Sequence, residues 1–156
     1  MRVLTILTFN RMLKISGENM AILGITLSKI EAKMNANATP SGDININSSP
    51  TISNVTKRDM DLYNMKDVLA VDFKFDISYD PDVGKISMEG ELLYQTDKAK
   101  EIVNKWKKDK KMEDEQMAVE ILNAIFRKCL TQSVTIAHEL RLPPPIAFPM
   151  VRPKDK

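Results

Sequence analysis

The side chains best suited to covalent chemistry are few: one cysteine and one histidine, with aspartates at Asp72, Asp76, Asp80 and Asp82. A cysteine beside a histidine would make a nucleophile and its base. Cys129 and His138, however, fall on one helical segment and stand about 13 Å apart along it, so they cannot meet. Asp72 and Asp76 share a strand face with Lys74 and could act as an acidic pair. That arrangement is also the ordinary wet half of an alternating strand, which is the reading adopted. Asp80-Pro81-Asp82 lacks the further ligands and the glutamate of a calcium loop. There is no glycine-rich phosphate loop, no serine elbow and no Cys/His set with metal-ligand spacing. The expectation is a protein that is not an enzyme, with no cofactor and no metal.

One cluster suits binding instead. Lys105, Lys107, Lys108, Lys110 and Lys111 surround Trp106, which places phosphate-contacting charge beside an aromatic that could stack on a base. Trp106 also shares a helix face with Ile102 and Val103 and so reads as core. Lysines at a helix C-terminus complement its dipole. A solvated helix end is therefore the first reading, and a ribosome- or RNA-associated protein the alternative. The formal net charge of +2 is too small to imply nucleic acid or membrane by itself.

The elements that would position these residues are clearer. The chain has 156 residues, 43% of them apolar and 28% charged, enough for one domain with a real core. A single cysteine forbids an intrachain disulfide and points to a reducing compartment, here the cytoplasm. Residues 1–19 look unlike the rest. The apolar run Val3–Phe9 is too short for a signal core or a membrane span. Gly17-Glu18-Asn19 can be encoded as a ribosome-binding sequence just ahead of the Met20 codon. Translation is thus expected to begin at Met20, with the domain covering 20–156. An intact mass that includes Met1–Asn19 would refute this.

From Met20 a strand of mixed polarity is expected, followed by turn chemistry over Asn35–Gly42. A second strand begins at Asp43 and is interrupted at Ser48-Ser49-Pro50, which suggests an edge position or a bulge, before resuming through Ile52 and Val55. The strongest signal is a hairpin. Val71, Phe73, Phe75, Ile77 and Tyr79 alternate with polar residues, Asp80–Gly84 turns, and Ile86, Met88, Gly90, Leu92 and Tyr94 alternate on the return. Thr96 or Asp97 is expected to cap a helix running to about Lys110. A longer helix follows from Asp114, apolar or small at Ala118, Ile121, Leu122, Ile125, Cys129, Ser133, Ile136, Ala137 and Leu140, and stops at Pro143-Pro144-Pro145. An extended apolar tail closes the chain; packing of Ile146, Phe148 and Val151 over the protein's own sheet is the first reading, and Ile146, Phe148 and Met150 are the candidate contacts for a partner. The fold class is α+β, an antiparallel sheet of about four strands packed on a long C-terminal helix.

This order of elements resembles the SecB export-chaperone family. The local likeness lies in Asn123-Ala124-Ile125-Phe126, then Arg127, Cys129, Thr131 and Val134, then Leu142-Pro143-Pro144 and Pro149. Arg127 stands where the family has proline, and the shorter helix is additional. The family's acidic surface and its metal-binding C-terminal segment are not matched, so delivery to an export ATPase is not expected. The resemblance implies a homo-oligomer that holds unfolded apolar polypeptide segments without ATP.

Overall fold

The computed structural model describes residues 22–38, 42–60 and 65–149. The expected start at Met20, the extension before it, the candidate contact Met150 and Val151 lie outside the described residues. The elements are β1 (Ile22–Met34), β2 (Asn45–Met60), β3 (Met65–Asp80), β4 (Gly84–Gln95), α1 (Ala99–Asp109) and α2 (Glu115–Glu139). The strands form one antiparallel sheet in the order β1-β4-β3-β2. The α+β class and the four-stranded sheet with its long C-terminal helix are as the sequence led us to expect.

The β3–β4 hairpin forms where the alternation is strictest. Leu69, Val71, Phe73, Phe75, Ile77 and Tyr79 on β3 and Ile86, Met88 and Leu92 on β4 are fully buried on one face. The turn closes through the Val83 amide donating to the Tyr79 carbonyl at 2.8 Å. Gly90 answers to a steric demand: a Cβ there would collide with the Thr26 carbonyl oxygen and lie 2.8 Å from the Phe73 ring. Strand β2 is an edge, as Pro50 suggested. It runs unbroken from Asn45 to Met60, and its first irregularity falls at Ser53, between Ile52 and Asn54, not at Ser48–Pro50. There the Ser53 hydroxyl donates to the Asp72 carbonyl.

The helices cover the apolar face. Helix α1 packs on β2 and β3, burying Ala99, Val103 and Trp106. Its expected cap at Thr96 or Asp97 is corrected: Lys98 holds the N-cap position without a side-chain bond, and Thr96 Oγ1 accepts from the Lys98 amide just outside the helix. Helix α2 crosses β1, β4 and β2. Asp114 caps it by accepting from the Met117 amide at 3.0 Å. Its buried residues recur every fourth position, at Met117, Ile121, Ile125, Cys129, Ser133 and Ala137. Ser133 satisfies its hydroxyl on the Leu130 carbonyl.

The end of α2 is set by backbone geometry before the prolines are reached. Arg141 takes a left-handed conformation, φ 56°. The Leu142 amide then bonds the Ala137 carbonyl and the Arg141 amide that of His138, a Schellman stop with arginine where glycine is usual. Leu142 is thereby pressed against Gly84, where an added Cβ would come within 3.0 Å of its methyl group.

Candidate functional site

The groups with chemical potential stay apart. Cys129 is fully buried, and burial pushes its thiol up to about 11, so it is a poor nucleophile. His138 is exposed near the end of α2. Asp76 sits on the outer sheet face between Lys85 (3.3 Å) and Lys74 (3.4 Å). Partial burial works to raise its pKa, but the Ser87 hydroxyl and the two ammonium groups outweigh that and hold the carboxyl below its ordinary range. Asp80 accepts from Asn47 and Ser78, and Asp82 from Asn35. Each aspartate has a structural partner, and among the described residues no three potential ligands converge on a metal position.

The lysine cluster divides in two. Lys105 is clamped between Glu101 (3.0 Å) and Glu113. Lys107, Lys108, Lys110 and Lys111 are exposed around the helix end. Trp106 is only 5% exposed, and among the described residues its indole N–H has no partner, so it is not available for stacking. A cleft of about 200 Å³ opens between α1 and the start of α2. It balances Lys98, Lys105 and Lys111 against Glu101, Glu113 and Asp114 and so presents no net charge to a phosphate.

The feature that sequence reading missed is apolar. Strand β1 contains no fully buried residue along its 13 positions. Irregularities between Ile22 and Gly24 and between Leu27 and Lys29 re-phase it, so a sequence without regular alternation still presents a single apolar row. Ile25, Leu27, Ile30 and Ala32 pair with Leu92, Gly90, Met88 and Ile86 and share their face. Leu27 and Ala32 are half-covered, whereas Ile30 and Met34 are each 44% exposed. Beside the buried stripe of α2 runs a half-buried one, Ala118, Leu122, Phe126, Leu130 and Val134, with Val119 exposed. Phe126 meets the buried Phe75 edge-on at 5.4 Å. In the tail, Ile146 is half-buried and Phe148 is 53% exposed. Of the three tail contacts expected, the structure thus places one at the surface and one partly covered.

A one-layer sheet roofed by a long helix, with apolar residues left open along an edge strand, is similar in fold to a solved SecB-like structure. A solved SecB-like chaperone of Mycobacterium tuberculosis, in complex with a ChAD peptide from the HigA1 antitoxin, superposes with a TM-score of 0.55 and 16% identity. The match covers 85% of this chain and 91% of that one. No family model matches the sequence, and no curated protein matches it. The likeness is one of fold. Among the described residues no helix is long and apolar enough to cross a membrane.

Proposed function

We propose that this protein is a SecB-like, ATP-independent chaperone of the cytoplasm that holds unfolded apolar polypeptide segments, working as a homo-oligomer and catalysing no covalent step. The observation that supports this most is the β1 row, because a strand that is half of a folded core ordinarily buries one face and this one does not. The half-covered stripe of α2 adds a second wall, and the tail residues Ile146, Phe148 and Met150 are further candidate apolar contacts. Recognition of this kind needs little directional chemistry, which accords with aspartates that already have structural partners. The structural neighbour is itself a chaperone bound to a peptide, which lends the reading weight at the level of fold.

The test is aggregation of a model client followed by light scattering, without nucleotide and at two salt concentrations. Suppression at both is expected, since apolar contact is not screened. No suppression, together with polynucleotide binding that weakens steeply with salt and is lost when Lys107, Lys108, Lys110 and Lys111 are neutralised, would replace this reading with the RNA-associated one.

A further inference from the structure

Most cations of the sheet are matched by acids, and those at the middle of α2 are not. Lys29, Lys57, Arg58, Lys74 and Lys85 each lie no more than 3.4 Å from a carboxylate oxygen, and on α1 Lys105 lies between Glu101 and Glu113. From Ile121 to His138, by contrast, α2 carries no aspartate or glutamate. Arg127 and Lys128 fall in the middle of that stretch. Both are exposed, and neither has an ion-pair partner among the described residues. Their ordinary structural uses are missing. Each stands about three turns from either end of the helix, beyond the reach of the helix dipole. The positions three and four residues away hold Asn123, Ala124, Ile125, Leu130, Thr131 and Gln132, so no acid braces either charge along the helix.

What surrounds these charges is apolar. Arg127 lies on the outward rim of the half-buried stripe, between Phe126 and Leu130, and Lys128 lies on the opposite flank of the buried one. The sequence beyond Glu139 adds Arg141, Arg152, Lys154 and Lys156 against Asp155 alone. An open apolar surface fringed by one sign of charge repels a segment bearing that sign and draws one bearing the other. We infer that the polypeptide segments held along α2 are apolar runs flanked by aspartate or glutamate, and that Arg127 and Lys128 are the residues that select them, a reading that rests on the proposed function. Apolar contact supplies the grip and cannot tell one greasy run from another. The two cations supply the discrimination, chiefly by opposing runs flanked by lysine or arginine. A polynucleotide offers the same negative sign but no aliphatic side chains to lay on Leu122, Phe126 and Leu130, so the stripe favours acidic polypeptide over it.

The experiment uses the full chain and three fluorescent peptides that share one apolar core, flanked on both sides by paired glutamates, glutamines or lysines, titrated by anisotropy. In low salt the glutamate peptide is expected to bind about tenfold more tightly than the lysine peptide, with the glutamine peptide between them. In about 1 M salt, where charges are screened beyond about 3 Å, the three affinities are expected to converge. Arg127→Glu with Lys128→Glu is expected to invert the order. Both sites are exposed and glutamate suits a helix interior, so a melting temperature near wild type is the check that the fold is kept. Lys107→Glu with Lys108→Glu changes the net charge by the same amount at the end of α1 and is expected to keep the wild-type order. Equal binding of all three peptides in low salt, an order unmoved by the α2 reversal, or an equal inversion by the α1 reversal would each overturn the assignment while leaving the chaperone reading in place. Binding of none of the three would remove the chaperone reading and the inference with it. Polynucleotide binding that is lost in the α2 reversal, with no preference among the peptides, would assign Arg127 and Lys128 to phosphate instead.

Discussion

At the scale of single residues, the sharpest test of the fold is the stop of α2. Arginine pays a steric cost in the left-handed conformation that glycine avoids. Arg141→Gly is therefore expected to raise stability by about 1 kcal/mol, measured as a higher urea midpoint at unchanged slope. Gly90→Ala should act in the opposite direction, since its new methyl would collide with the Thr26 carbonyl. Buried acids make the protein sensitive to alkali, Cys129 and Tyr94 foremost, with burial raising the Tyr79 phenol as well. Burial pushes the Cys129 thiol from 9.0 to about 11. Burial, with the hydrogen bond from Tyr94 to Glu120 at 2.9 Å, pushes the Tyr94 phenol from 10.0 to about 12. In both cases the unfolded chain loses its proton first, so stability is intact below pH 9 and falls as pH rises from about 9 to 12. A thermal melt series over that range should show the decline, and Cys129→Ala should move its onset upward by about one pH unit. The native thiol should also resist alkylation until the protein unfolds.

At the scale of elements, legibility followed periodicity. The β3–β4 hairpin was plain because each strand keeps one phase over its whole length. Helix α2 was plain because its apolar residues recur over many turns. The structure adds Asp114 as its cap, and Asp114→Ala is expected to cost about 1 kcal/mol. The edge strands were harder for one shared reason. Strand β1 shifts phase at two irregularities, so Ile25, Leu27 and Ile30, which lie on one face, do not fall on one parity in the sequence. Strand β2 keeps pairing through Pro50 because an edge proline need donate no ladder bond on its open side, whereas a reading along the chain treats proline as a break. The candidate site inherits this unevenness. The tail residues Ile146 and Phe148 were visible as an apolar segment that could not form ladders. Ile30 and Met34 were invisible, because their exposure depends on which strand is the sheet's edge. Topology of that kind is a non-local property that no window of sequence contains.

At the scale of the whole molecule, the two sheet faces divide the physics. The inner face supplies the core. The outer face is a lattice of charge pairs within and between strands, including Arg58 with Glu91 at 2.7 Å, Lys29 with Glu31 at 3.2 Å, and Asp76 between two lysines. Exposed pairs of this kind contribute little each and are screened by salt. Raising ionic strength should therefore shift the melting temperature only slightly and leave client holding intact. Replacing Phe148 and Met150 together with serine should reduce client holding while leaving the melting temperature near wild type, since Phe148 is exposed. An unchanged light-scattering trace would remove the tail from the contact surface.

The seat of Leu142 on Gly84 has a further consequence for that tail. Phe148 lies six residues beyond a fixed anchor, so its ring can stray no more than about 20 Å from the hairpin turn. Within so small a sphere one side chain amounts to a local concentration in the millimolar range. A segment already resting against the sheet would thus meet the ring as a tethered second hand, and the grip of the two together would exceed that of either without any added contact.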